Sequence, residues 1–292
     1  MTFVKFPVIL ATVFVFLAVG MLTAKATQYA ILVGVSGYVD GNDLPSPPND
    51  AEALRDVLLH IGYLPENVYC LTSGSKTPTL PGKNIIEFTI DTVLSKAKPG
   101  DTVIIFLAGH GTVIKGESRF CPFDMISDSL DARVATSVSI NDIMNDFRNC
   151  KATYKLMIVV ACRPAEKLPP GVQPMKPLIS PAEGVALIQS CSDGETSLEL
   201  GMLQHGIFTY SLLEGFREAK DKDGEVTLAG LVAYTTKRTQ ELGSISVPAY
   251  HHRLPMCSVA CCRVDHSPAI SPFSSHNLST TRARSPKRHS RQ

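Results

Sequence analysis

The sequence predicts an α/β fold: a mainly parallel central sheet flanked by helices on both faces. Three observations carry that expectation. Residues 156–160 (Leu-Met-Ile-Val-Val) form an unbroken run of large apolar side chains, the pattern of a strand buried on both faces. Residues 103–107 (Val-Ile-Ile-Phe-Leu) repeat that pattern. Short apolar runs of this kind alternate along the chain with amphipathic segments of helical period, which is the signature of strands joined by crossover helices.

Taken in order, residues 28–33 read as the first strand, followed by a Gly-, Pro-, Asn- and Asp-rich loop to residue 48. Asn49 is expected to cap a helix, with Glu52 completing a capping box. Ala53, Leu54, Val57, Leu58 and Ile61 share one face of it, and Gly62 ends it. Residues 68–71 suggest a short strand and 84–97 a second amphipathic helix, stopped by Pro99-Gly100. The strand at 103–107 ends in Gly109-His110-Gly111. Residues 112–138 look polar and irregular, with 120–124 expected at a pocket rim. Ser139 caps a helix to about residue 149, which leads into the strand ending at Ala161-Cys162. Six prolines between 164 and 183 mark a linker. A strand at 184–190 and helices at 208–219 and 228–242 follow. Asp221-Lys-Asp223-Gly224-Glu225 resembles part of a calcium loop. With Gly224 at the sixth loop position, Ala219 and Gly230 fall where the end carboxylates belong, so a turn is expected.

The 292 residues carry a formal charge of +1, and 44% of them are hydrophobic, which fits a globular enzyme and points away from nucleic acid. Arg282, Arg284, Lys287, Arg288 and Arg291 give residues 266–292 a basic, Ser- and Pro-rich composition, expected to be a disordered tail. Asn277-Leu-Ser279 fits a glycosylation acceptor. At the other end, Lys5, an apolar run from Val8 to Val19 and Ala24-Lys25-Ala26 match a secretory signal over residues 1–26, with a mature start near Thr27. The alternative is an uncleaved anchor, and membrane association is expected only in that case. The expected location is therefore secreted or periplasmic, or membrane-anchored. There are 8 cysteines, in no compact zinc spacing. If Cys162 is a free nucleophile, seven others remain, so at least one more thiol is left out of any intrachain pairing.

A histidine and a cysteine about 50 residues apart, each closing a buried strand, is a layout for nucleophilic catalysis. Around them, Ala-Gly-His110-Gly and Ala161-Cys162-Arg163 resemble the paired motifs of the caspase and metacaspase superfamily of cysteine peptidases. Residues 27–38 and Pro48-Asn-Asp-Ala-Glu-Ala-Leu54 resemble the first strand and helix start of its metacaspase-like branch, and residues 204–215 its small-subunit helix. The likeness covers about residues 28–262. It implies the caspase-like three-layer fold over 27–265, with a large-subunit-like part at 27–163, the linker at 164–183 and a small-subunit-like part at 184–265.

The resemblance implies a Cys-His dyad acting on protein or peptide substrates. Cys162 would attack as thiolate, and His110 would pair with it and protonate the leaving amine. The backbone N–H groups of Gly111 and Cys162 would hold the oxyanion. The first specificity pocket, which takes the substrate residue before the scissile bond (P1), would include Asp50, Ala108 and Val160. Val160 replaces the Asp or Gln usual in the superfamily, and Ala108 replaces a common Ser. A preference for Arg or Lys at P1 is therefore expected from Asp50 alone. No cofactor is expected. A calcium site of the metacaspase-like kind would need an Asp soon after the nucleophile, and residues 163–170 offer only Glu166. Lys167 is the expected self-cleavage position, because Pro164 and Pro177 follow Arg163 and Lys176. A non-enzymatic member of the fold that binds a peptide or protein partner is the alternative.

Overall fold

The computed structural model describes residues 26–39, 41, 43–73, 79–161, 184–190, 199–200, 204–246 and 260–262. Its centre is a six-stranded sheet. Strands β1 (Gln28–Gly34), β2 (Val68–Thr72), β3 (Thr102–Ala108), β7 (Tyr154–Val160), β8 (Ala186–Gln189) and β11 (Ala260–Cys262) lie in the order β2-β1-β3-β7-β8-β11. All neighbours are parallel except β8 and β11. The three central strands run in matched register, so that Gly34, Ala108 and Val160 form one row at their carboxyl ends.

Alternate residues of these strands feed two separate cores, as the period of two requires. Ile31, Val33, Ile105, Leu107, Met157 and Val159 face helices α2 (Lys83–Lys96) and α4 (Ile140–Asn149). Leu32, Phe106, Ala108, Ile158 and Val160 face α1 (Pro47–His60), α5 (Ile207–Glu218) and α6 (Leu228–Ser246). Phe106, at the centre of β3, has no exposed surface, and truncating such a side chain to Ala costs about 3–5 kcal/mol. The expected three-layer architecture is present, with Ser139 capping α4 by accepting the Asp142 N–H at 3.2 Å. Residues 221–225 form the expected turn, closed on the Asp221 carboxylate by the N–H groups of Asp223 and Glu225.

Three local expectations need correction. Helix α1 begins at Pro47, after Ser46, so Asn49 lies inside its first turn and does not cap it. Two consecutive prolines preset the helical φ and lack the N–H groups that a cap would satisfy. Glu52 accordingly makes no capping box; it is buried and accepts the Thr72 hydroxyl at 3.4 Å. Residues 112–138 are not irregular. They hold strands β4 (Gly111–Ile114) and β5 (Glu117–Phe120), a short helix α3 (Leu130–Thr136) and β6 (Val138–Ser139) in a small antiparallel sheet. The hairpin turns at Lys115 and Gly116, both at positive φ (53° and 83°), the conformation a two-residue hairpin favours. Residues 120–124 belong mainly to packing. Phe120 is fully buried, and Asp124 accepts the Lys83 N–H at the start of α2.

The leader at 1–26 (except Ala26), the linker at 164–183 and the tail at 266–292 lie outside the described residues. Among the described residues no helix is long and apolar enough to cross a membrane.

Candidate active site

His110 follows β3 by two residues. Its placement is set by two backbone–backbone bonds and by the Tyr38 side chain. The Gly109 N–H bonds the Val160 carbonyl at 3.1 Å, which ties the end of β3 to the end of β7. The His110 N–H donates to the Tyr38 hydroxyl oxygen at 2.7 Å, and the His110 carbonyl accepts the Cys121 N–H at 2.9 Å. The imidazole is only 7% exposed, with its ring centroid 4.6 Å from that of Tyr38. Gly109 is obligatory here for space: a Cβ would stand 2.7 Å from the Tyr38 hydroxyl and 3.2 Å from Phe120 and Val35. Gly111 opposes Phe120 in the antiparallel pair. Because the Cys121 N–H bonds His110, that pair is the non-hydrogen-bonded kind, and the Gly111 N–H turns away from β5.

Val160 ends β7 beside Ala108, and Ala161, 3% exposed, continues it. Cys162 and Lys167 lie outside the described residues. Of the other thiols, Cys70 is a poor candidate nucleophile. Burial pushes it up to about 11, so it stays protonated near neutrality.

Asp50, Ala108 and Val160 share one face of the sheet. The first turn of α1 rests on the carboxyl end of β1, where Gly34 has no room for a side chain: a Cβ would lie 2.3 Å from the Pro47 carbonyl oxygen. This close approach seats the start of α1 on the carboxyl end of β1, and α1 packs on the same face of the sheet as Ala108 and Val160. Asp50 is 2% exposed, Ala108 fully buried and Val160 8% exposed. Burial raises the Asp50 carboxyl above the usual carboxylate range. The His205 hydrogen bond is the largest opposing influence, followed by the nearby Thr209 hydroxyl, the charge of His205 and the Gly206 N–H.

Two residues of this region were not visible as functional in the sequence. Tyr38 sits 72 positions before His110, and His205 lies 155 positions after Asp50, to which its Nδ1 is bonded at 2.8 Å. Both contacts are long-range, so no local spacing reveals them. Among the described residues no group of three or more His, Cys, Asp or Glu side chains is arranged to hold a metal ion.

Residues 27–254 match the sequence profile of the caspase domain. The chain is 24% identical over 215 residues to Paracaspase of Dictyostelium discoideum, covering 74% of this chain and 50% of that protein. It is 29% identical over 83 residues to Metacaspase-1 of Candida albicans, covering 28% of this chain and 18% of that one. The chain thus spans half the length of the first of these relatives and less of the second. In fold it is similar to the Drosophila initiator caspase Dronc, with a TM-score of 0.52 at 10% identity over 84% of this chain and 83% of the other. A Geobacter sulfurreducens protein gives 0.53 at 14% identity over 73% and 89%. With a profile match over most of its length and the fold to go with it, this chain belongs to the caspase-domain family of peptidases.

Proposed function

We propose that this chain is a cysteine endopeptidase working through a Cys162-His110 dyad. The observation that carries the reading is the clamp on His110. A histidine held through its N–H, its carbonyl and its ring at the carboxyl end of β3 lies beside the end of β7, the strand that leads into Cys162. Cys162 attacks the scissile carbonyl as thiolate, and the pair of electrons moves onto the carbonyl oxygen. The N–H groups of Gly111 and Cys162 receive that charge; losing one such donor costs on the order of 100- to 1000-fold in rate. His110 then protonates the leaving amine, and water, activated by the same imidazole, hydrolyses the thioester.

In this reading Asp50, on the helix that packs over the same face of the sheet as Ala108 and Val160, selects Arg or Lys at P1. The chemistry needs no cofactor, and calcium is not required. Protein or peptide chains are the substrates. The leader at 1–26 exports the enzyme or, uncleaved, anchors it. Self-processing falls at Lys167-Leu168, and a new N-terminus at Leu168 that is missing from Cys162→Ala is its expected mark.

The test is a peptide-library cleavage assay, with and without calcium, joined to labelling by a thiol-reactive peptide electrophile. Cleavage after basic residues is expected, with modification confined to Cys162 and dependent on His110. Near-normal cleavage by purified Cys162→Ala sinks the peptidase reading. A folded protein that binds peptides but neither cleaves them nor takes the label is instead a binding member of the fold.

A further inference from the structure

Asp50 is a difficult residue to use for recognising a cation. A carboxylate with 2% exposure has lost nearly all its water, and an isolated buried charge neutralises itself by taking up a proton. A protonated Asp50 would offer a basic side chain nothing beyond a neutral hydrogen bond. Against that outcome the structure sets first the Nδ1 of His205, 2.8 Å from Asp50 Oδ1, with smaller help from the Thr209 hydroxyl and the Gly206 N–H. A carboxylate has only acceptors, so in this contact Nδ1 must carry the hydrogen.

The presentation of His205 is itself built. It stands in the two-residue strand β10 (His205–Gly206), paired with β9 (Glu199–Leu200), immediately before α5. The preceding residue, Gln204, takes a φ of 55°, a conformation that a side-chain-bearing residue adopts at a cost. The Asn49 side-chain amide donates to the Gln204 carbonyl at 3.3 Å, so the residue next to Asp50 on α1 grips the residue next to His205. The two neighbours therefore hold the turn while the two central residues bond each other. His205 remains 21% exposed, at the solvent side of the pair.

We propose that His205 is a positioning residue for substrate selection: its Nδ1–H fixes the Asp50 carboxylate that recognises a basic P1 side chain. The proposal rests on the reading of Asp50 as the P1-selecting acid and adds the residue on which that acid depends. Burial raises the Asp50 carboxyl and the His205 bond is the main influence against it, in agreement with the geometry.

The experiment compares kcat/KM for two fluorogenic peptides that differ only in Arg or norleucine at P1. His205→Leu, which fills the space without a donor, should lower the Arg-to-norleucine ratio by about 10-fold or more, the scale of a charge-assisted hydrogen bond. The loss should lie mainly in KM. His205→Asn, whose amide can donate from near the Nδ1 position, should recover most of the ratio. A ratio does not depend on the fraction of folded enzyme, so partial unfolding cannot imitate the effect. As a second measurement, an Arg-ending peptide should bind Cys162→Ala about 10-fold more tightly than the Cys162→Ala, His205→Leu double variant. An unchanged ratio in His205→Leu, with wild type still favouring Arg, overturns the role of His205 and leaves the Asp50 reading intact. Equal losses in His205→Leu and His205→Asn also overturn it. A wild type with no preference for Arg removes the Asp50 reading, and this inference with it.

Discussion

The His110 end of the site and the Asp50 pocket are built in opposite ways. His110 is fixed mainly through its own backbone: its neighbour Gly109 is tied to the Val160 carbonyl and its own carbonyl to the Cys121 N–H, with the Tyr38 hydroxyl accepting its N–H. Asp50 is placed by the packing of α1 on Gly34 and held chiefly by a side-chain bond to a residue 155 positions away. The difference teaches where this fold keeps its chemistry rigid and where it leaves room to vary. Backbone bonds survive most substitutions, whereas a carboxylate held chiefly by one imidazole changes character with a single replacement.

The sharpest break in that comparison comes from the dyad. Cys162→Ala should abolish turnover, and His110→Ala should lower kcat by about 1000-fold or more, with melting temperatures close to wild type. Steady-state kinetics beside thermal melts check both halves, and collapse of the fold in either variant contradicts the separation of chemistry from packing. The pocket should respond next. Asp50→Asn should reduce the preference for Arg over a neutral P1 residue by about 5- to 150-fold, the value of one charge pair worth about 1–3 kcal/mol. Val160→Asp should raise that preference if its new carboxylate stays ionised on an apolar strand.

Smaller effects sharpen the contrast. Tyr38→Phe keeps the ring against His110 and removes the acceptor of its N–H. A buried N–H without an acceptor costs about 1–3 kcal/mol, so a fall in melting temperature is expected. A drop of about 10-fold in kcat with little change in KM should accompany it. A change confined to KM would argue that Tyr38 serves the pocket and not the histidine. The smallest effect concerns pH. A carboxyl raised by burial favours the fold when protonated, and that stability is lost as pH rises from the unfolded value through the folded one. Asp50→Asn should therefore gain melting temperature over wild type at neutral pH, and the gain should shrink on acidification. A gain that grows in acid would reverse the sign assigned to burial.

Much of the scaffold was legible beforehand because its signals are local. The runs 103–107 and 156–160 are strands β3 and β7, both buried on two faces. The Ser139 cap and the helices near 84–97, 208–219 and 228–242 followed from periodicity and capping chemistry. The β4–β5 hairpin was missed because Lys115 at positive φ is an unusual turn residue, and strands of four residues carry little alternation. The start of α1 was missed because Asn49-Asp-Ala-Glu52 imitates a capping box just inside a helix already opened by Pro47 and Pro48.

By itself, then, the sequence determined the α/β class, the strands that end near His110 and Cys162, and the family resemblance that the profile match bears out. Those properties depend on residues close together in the chain, where apolar period, caps and motifs act over a few positions. Only the tertiary structure decided that Tyr38 holds His110, that Gly34 admits the first turn of α1 onto the end of β1, and that His205 bonds Asp50. Each of these is a contact between segments far apart in sequence, formed because the sheet register and helix packing bring their ends to one rim. No local pattern encodes the partner of a buried polar group, since that partner is chosen by whichever distant donor the folded chain delivers to it.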